Sequence, residues 1–299
     1  MTRSEAPEDA GHTPAGPTIG AALHTAQAAL AGADAPRLTA EVLLAQVLGL
    51  GRAQVLARPA QALSPDQQTA FTQLVARAAQ GEPLPYLTGR REFHGLEFLV
   101  DPRVLIPRPE TELLVDQALA FLAAQPAGAD RPVLDVGTGS GCIAVTLAVK
   151  HPAASVTAVD VSAEALAVAA ANAARHGVLG RVSFFQSDLL SGLPQRPAGF
   201  HLLCANLPYI PSETLAGLPV ARFEPRLALD GGPDGLRWVR RLLVDAPRVM
   251  APGGRLLLEI EHRQGALALE LARQAFPGAL AVLQPDYAGL DRLLSLQLP

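Results

Sequence analysis

Val133-Leu134-Asp135-Val136-Gly137-Thr138-Gly139-Ser140-Gly141 runs a short apolar segment into a glycine loop, and Cys142-Ile143-Ala144-Val145-Thr146-Leu147-Ala148-Val149 follows with the composition of a helix. Strand, glycine turn and helix N-terminus in that order open an α/β sheet. Glycines let the backbone take positive φ and come close to a ligand. The loop's N–H groups, at a helix N-terminus, suit an anionic group. Spacing then selects the ligand. A dinucleotide fingerprint needs glycines at the first, third and sixth places. Here they fall at the first, third and fifth, and Cys142 takes the sixth. A P-loop is excluded because no Gly-Lys-Ser/Thr follows. Gly137, Thr138, Gly139, Ser140 and Gly141 behind an acidic residue fit S-adenosylmethionine, whose methionine carboxylate and ammonium replace the pyrophosphate.

Downstream, Ser155-Val156-Thr157-Ala158-Val159-Asp160 reads as a second strand ending in a carboxylate, where a ribose-binding acid belongs. Val182-Ser183-Phe184-Phe185-Gln186-Ser187-Asp188 reads as a third, and Asp188 is placed to accept from an adenine amino group. Leu189 follows and is expected to flank the adenine face. An Asp at a strand end is also a common helix cap or turn former, so each acid alone has two readings.

The next apolar run, Phe200-His201-Leu202-Leu203-Cys204-Ala205, leads into Asn206-Leu207-Pro208-Tyr209. Asn206 offers a carbonyl acceptor and an NH₂ donor, which can hold a planar amide or amidine and turn its nitrogen toward an electrophile. Pro208 restricts Leu207 to extended conformations, so the neighbouring backbone carbonyls point in fixed directions. Tyr209 adds a flat face. Asn206, Leu207, Pro208 and Tyr209 are therefore the expected acceptor site, with Asn206, Pro208 and Tyr209 carrying the catalytic positioning. Four successive strand ends bearing loop, acid, acid and Asn form a pattern that capping alone does not produce.

At 299 residues the chain has room for two domains, and 49% hydrophobic residues are ample for a core. A net charge of −4 lacks the global basic footprint of a nucleic-acid binder. The two cysteines, Cys142 and Cys204, fall inside apolar elements and read as buried free thiols, and His94, His176 and His262 show no ligand grouping, so no metal is expected. There is no apolar run of membrane-spanning length and no signal-peptide core, so a cytoplasmic protein is expected. Residues 1–17 read as a disordered tail. Residues 18–85 read as a helical domain: Ile19, Ala22, Leu23, Ala26 and Leu30 share one face, residues 40–48 and 65–79 repeat the pattern, and Thr39 and Ser64-Pro65 look like helix starts. Residues 86–108 read as a hairpin linker turning at His94-Gly95, and residues 109–299 as a doubly wound sheet closed by an antiparallel pair, 279–283 and 291–298.

With those residues in place, the chain from about residue 18 onward resembles the peptide chain release factor N5-glutamine methyltransferases. Besides the glycine loop and the Asn-x-Pro-Tyr site, it matches in Arg91-Glu92-Phe93, in Gly95-Leu96, in Ile106-Pro107-Arg108-Pro109-Glu110-Thr111-Glu112, and in Glu224-Pro225-Arg226-Leu227-Ala228-Leu229-Asp230-Gly231-Gly232. The resemblance implies a class I S-adenosylmethionine-dependent methyltransferase: a Rossmann-like seven-stranded sheet with a terminal antiparallel strand, behind a small all-α domain that docks a protein substrate. It implies methylation of the glutamine amide nitrogen in the Gly-Gly-Gln motif of class 1 release factors, in support of translation termination, with S-adenosylhomocysteine as product. By position it places Gly137 to Gly141, Asp160, Leu189 and Asn206 at the cofactor and Asn206 to Tyr209 at the glutamine. One departure stands out: the family usually shows Asn-Pro-Pro-Tyr, and here Leu207 takes the second place. Losing that ring frees one φ, while Pro208 still biases Leu207 toward extended geometry.

Neither membrane nor direct nucleic-acid contact is expected. The alternatives are methylation of ribosomal protein L3, an N6-adenine nucleic-acid methyltransferase with a similar Asn-Pro-Pro-Tyr site, a non-catalytic cofactor-binding module, and an NAD-type dehydrogenase, the last disfavoured by glycine spacing. Glu110 and Glu112 could line a substrate entrance or complement a helix dipole. Arg226 and Asp230 could form a structural pair beneath the site.

Overall fold

The computed structural model describes residues 16–126, 131–193, 196 and 198–299. The expected disordered tail lies outside the described residues as far as residue 15. The chain divides into two compact units, one ending at Thr88 and one beginning at Gly89.

The first unit is helical: α1 Ile19–Ala29, α2 Pro36–Leu48, α3 Arg52–Leu56, α4 Pro65–Ala79 and α5 Leu84–Thr88. The α1 face read from spacing (Ile19, Ala22, Leu23, Ala26) is buried together with Leu30, against Leu43 and Leu44 of α2 and Phe71 and Val75 of α4. Ser64 and Gln67 form a reciprocal capping box at the start of α4, with Pro65 in the first turn. Thr39 does not start α2. Pro36, with its φ already helical and no N–H to satisfy, begins the helix one turn earlier, and Gly49 ends it at φ +63°.

The second unit opens with a hairpin, β1 Arg90–Phe93 and β2 Leu96–Leu99. Its two-residue turn has positive φ at both His94 (54°) and Gly95 (78°), which suits the right-handed twist of the strands. The remaining elements are α6 Thr111–Ala123, β3 Pro132–Val136, α7 Cys142–Lys150, β4 Ser155–Asp160, α8 Ala163–Arg175, β5 Val182–Gln186, β6 Phe200–Asn206, α9 Ser212–Leu215, α10 Arg237–Asp245, β7 Met250–Glu259, α11 Gly265–Ala275, β8 Leu280–Pro285 and β9 Asp291–Gln297.

The sheet order is β5-β4-β3-β6-β7-β9-β8. Strands β3 to β7 pair in parallel, and β9 enters antiparallel between β7 and β8. Central strands are apolar on both faces, as parallel strands covered by helices must be. Leu134, Leu203, Ala205, Leu256 and Leu258 face one core with Leu242 and Leu243 of α10 and Ala268 and Ala272 of α11. Val133, Leu202, Cys204 and Leu257 alternate to the other core with Leu114 and Val115 of α6, Val145 and Leu147 of α7, and Phe93 and Phe98 of the hairpin. The strand order reverses direction between β3 and β6, so the crevice at their carboxyl ends is the topological switch point. Among the described residues no helix is long and apolar enough to cross a membrane.

Candidate active site

The switch point opens into a cavity of about 550 Å³, within the range of small-molecule sites. Gly137, Gly139, Asp160, Asp188 and Leu189 line it from the β3-β4-β5 half, and Asn206, Leu207, Pro208 and Trp238 from the β6 half. Residues 102–105 and 225–228 form further walls. Of the residues singled out from sequence, Thr138, Ser140, Gly141 and Tyr209 are not on the cavity wall.

The glycine loop is held by its neighbours. Gly137 and Thr138 both donate to the Val159 carbonyl, at 2.9 and 3.0 Å. Gly137 has φ +74°, and a Cβ there would meet Leu207 Cδ2 at 3.2 Å. Leu207 is itself buried and packs beneath the loop. Gly139 has φ +55° and nothing closer than 4.0 Å to an added Cβ, so its backbone faces open space.

The two loop acids divide their work. Asp135 is fully buried; its Oδ2 accepts from Thr138 Oγ1 at 2.7 Å and Ala144 N at 3.2 Å, tying loop to helix. Burial pushes its carboxyl up to about 7, against the pull of those two donors. Asp160 lines the cavity instead. It accepts from Gly139 N and Ser162 N, both at 2.9 Å, and burial is the main force raising its pKa. Asp188 is half-exposed and paired with Arg241 at 2.8 Å. Leu189 lines the cavity with φ +50°, an uncommon backbone for a branched side chain, braced by the Ser187 hydroxyl donating to its carbonyl at 2.8 Å.

At the β6 end, Asn206 Nδ2 donates to Thr111 Oγ1 at 3.0 Å, and Thr111 Oγ1 donates to Glu259 Oε2 at 2.6 Å. Burial raises the Glu259 carboxyl to about 7, opposed by the Thr111 hydroxyl and Arg292. Tyr209 is pushed up to about 12 by burial and by Glu259, and its carbonyl accepts from Gln264 Nε2 at 2.9 Å.

Both sequence blocks that carried the resemblance are stitched to this site. Ile210 N donates to Leu229 O, Gly231 N to Ile210 O, and Ser212 N to Gly232 O, at 3.1, 2.8 and 2.9 Å. Asp230 accepts from Ser212 Oγ and pairs with Arg226 at 3.0 Å, and the Ser212 hydroxyl is the largest influence lowering it to about 2. An added Cβ at Gly231 would sit 2.8 Å from the Pro208 carbonyl, which explains a glycine there. Glu224 joins the two blocks, accepting from Ile106 N at 3.0 Å and from Arg108. Glu112 does not face the cavity: it accepts the His94 backbone N–H at 2.9 Å and fixes the hairpin turn.

Sequence reading missed Thr111 as a site residue, along with Glu259 and Trp238. Glu259 was findable by the rule that found Asp160 and Asn206, since it also closes an apolar strand.

The Gly137 and Gly139 backbone on the cavity wall, the Asp160 carboxylate and the apolar wall at Leu189 fit a ligand with a charged amino-acid end, a ribose and a flat base. A glycine loop of this spacing, on a seven-stranded sheet whose last strand is inserted antiparallel, defines a class I S-adenosylmethionine-dependent methyltransferase. Residues 133–218 match a family described as Methyltransferase domain, and residues 21–89 one described as PrmC N-terminal domain. The chain is 46% identical over 265 residues to the release factor glutamine methyltransferase of Moorella thermoacetica, covering 88% of this chain and 92% of the relative. The enzyme of the same name from Chlorobaculum tepidum is 46% identical over 268 residues, covering 88% and 90%. This chain belongs to the release factor glutamine methyltransferase family. The hMettl16 catalytic domain, solved in complex with the MAT2A 3'UTR hairpin 6, aligns with a TM-score of 0.54 over 75% of this chain and 81% of that one; at 16% identity the likeness is one of fold.

Proposed function

We propose that this chain transfers a methyl group from S-adenosylmethionine to the side-chain amide nitrogen of the glutamine in the Gly-Gly-Gln motif of class 1 peptide chain release factors. The reading places it in the cytoplasm, in support of translation termination. The observation that carries it is Asn206, whose Nδ2 is turned inward to donate to Thr111 Oγ1, leaving its oxygen as the end that meets an incoming amide.

S-adenosylmethionine, when bound, supplies a methyl already activated by its sulfonium. Gly137, Gly139, Asp160 and Leu189, which line the cavity, would hold it, with Asp188 available to the adenine and Thr138, Ser140 and Gly141 shaping the loop from behind. The chain's own task is the acceptor. An amide nitrogen is a poor nucleophile because its lone pair is delocalised into the carbonyl. Asn206 Oδ1 and the backbone carbonyl of Leu207, beside Pro208, accept the two amide hydrogens and fix the direction of that nitrogen. Placement within about 3–3.5 Å of the methyl contributes up to roughly 7–11 kcal/mol in ideal cases. The same acceptors stabilise the positive charge that grows on nitrogen. Tyr209, kept protonated by its raised pKa, does not serve as a base; it stands behind the cavity wall, where its carbonyl is anchored by Gln264. The proton leaves the nitrogen after transfer.

The test is incubation of the full chain with S-adenosylmethionine and a class 1 release factor, followed by peptide mass spectrometry. One methyl on the Gly-Gly-Gln glutamine, lost in Asn206→Ala, supports reaction and site together. Asn206→Asp keeps an acceptor while adding charge and losing the donor. Near wild-type turnover in both variants would remove Asn206 from the mechanism.

A further inference from the structure

Asn206 and Glu259 close adjacent parallel strands as register partners, and Thr111 begins the helix that packs over them. Thr111 and Glu259 are each 2% exposed, so water does not compete for their hydrogen bonds. An ionised carboxylate can only accept. The Thr111 hydroxyl must therefore direct its single O–H to Glu259 Oε2, 2.6 Å away. It is left with lone pairs for Asn206, 3.0 Å away on the other side, and a lone pair takes only an N–H. The Asn206 amide is thus turned with its nitrogen inward and its oxygen toward the cavity.

We infer that Glu259, acting through Thr111, sets the orientation of the Asn206 amide and so makes the site one that accepts hydrogens from an NH₂ group. This inference rests on the acceptor reading given above and deepens it. Thr111 and Glu259 are positioning residues. The polarity they impose selects a carboxamide over a carboxylate: glutamate would bring oxygen lone pairs against the Asn206 oxygen, with no hydrogen to share. Protonating Glu259 removes the constraint. A neutral carboxyl can donate to Thr111, Thr111 can then donate to Asn206 Oδ1, and the amide turns over.

The surroundings of Glu259 put that switch in an observable range. Burial raises its pKa most, the Thr111 hydroxyl and Arg292 on β9 oppose, Glu110 raises it further, and the Asn206 amide lowers it, giving about 7. Tyr209 and Cys142, which also sense Glu259, are each pushed up to about 12 and stay neutral.

The test compares the wild-type chain with Thr111→Val, Thr111→Ser and Glu259→Gln in single-turnover methylation of a class 1 release factor, with S-adenosylmethionine affinity measured by calorimetry. Thr111→Val should lower the transfer rate by about a hundredfold, the scale expected when a reacting group is misplaced, and weaken cofactor affinity far less, since Gly137, Gly139 and Asp160 are untouched. Thr111→Ser should restore most of the rate. Wild-type transfer should rise with pH through about 7, and Glu259→Gln should lose that limb. Should Thr111→Val misfold, shown by lost cofactor binding, the Glu259→Gln pH profile decides. A Thr111→Val rate equal to wild type, or an unchanged acid limb in Glu259→Gln, would overturn the inference. An inactive wild-type chain would instead overturn the functional reading on which it rests.

Discussion

Leu99 and Asn172 exchange two hydrogen bonds across 73 residues of chain: Leu99 N donates to Asn172 Oδ1 at 2.7 Å, and Asn172 Nδ2 donates to Leu99 O at 3.0 Å. The same Nδ2 donates to Ser140 O at 2.9 Å, so one buried amide joins the hairpin to the glycine loop. Asn172→Ala leaves buried backbone groups unpaired. It should destabilise the protein by about 2–4 kcal/mol and weaken S-adenosylmethionine binding, as read by urea denaturation and calorimetry. Asn172→Asp keeps only the Leu99 N–H partner and sets a buried carboxyl against the Leu99 and Ser140 carbonyls, so it should be at least as destabilising as Asn172→Ala at neutral pH.

Leu189 sets up a reversal of the usual alanine-glycine order. Its side chain is 9% exposed and its φ is +50°. Leu189→Ala loses packing and keeps the unfavourable backbone. Leu189→Gly loses slightly more packing and relieves it. Where a helix or strand makes glycine worse than alanine by about 0.5–1 kcal/mol, here Leu189→Gly should be the more stable of the two by about 1 kcal/mol. Thermal denaturation of the pair reads the sign directly.

Gly137 and Leu207 form a steric pair. Gly137→Ala brings a methyl 3.2 Å from Leu207 Cδ2 at a residue with φ +74°. Cofactor affinity should drop, and adding Leu207→Ala should recover part of it by removing the crowding. The backbone penalty of about 1–2 kcal/mol remains in the double variant. Full recovery would mean that contact alone demands glycine there.

Buried carboxylates give stability a distinctive pH dependence. Asp135 is raised from 3.8 to about 7, chiefly by burial. Below pH 3.8 both folded and unfolded chains carry its proton, and its contribution to stability is complete. As pH rises through about 7 that contribution is lost, because the unfolded chain releases the proton earlier. Asp135→Asn removes the titration and should flatten the fall in stability between pH 3.8 and about 7. Each tenfold change in proton affinity corresponds to about 1.36 kcal/mol, so the gain at about pH 8 is on the order of 1–4 kcal/mol. Urea midpoints across that range check both sign and size.

The fold was readable because its signals are local. Apolar strands that end in glycines, acids or Asn mark the carboxyl edge of a sheet one segment at a time, and the hairpin turn announces itself in two residues. The Thr111–Asn206–Glu259 arrangement is different in kind. It depends on β6 and β7 being in register and on α6 beginning above them, and its members are 95 and 53 residues apart in sequence. Nothing in the run Ile106 to Glu112 distinguishes Thr111 from a helix-start residue. Glu112 shows the opposite case, an acid near the site in sequence that is turned toward the His94 backbone by the helix it sits on. The start of α2 departs from the pattern for a local reason: Thr39 has a capping side chain, yet Pro36 already satisfies the first turn.

The reversal of strand order between β3 and β6 divides the enzyme's chemistry by chain segment. Everything expected to grip the methyl donor except Asn206 comes from residues 133–189, while the groups proposed to meet the acceptor come from Asn206 onward, in a segment bound to the Glu224–Gly232 block by backbone hydrogen bonds. The two halves meet at the cavity floor, where Leu207 lies under Gly137 and Asn206 closes its strand. A chimera that exchanges residues 200–235, together with positions 111 and 259, for those of a methyltransferase with another acceptor would therefore carry a new substrate preference into an otherwise unaltered donor half, provided that the residue at 207 still fits beneath the loop. The sheet works as a cassette holder, with one replaceable slot.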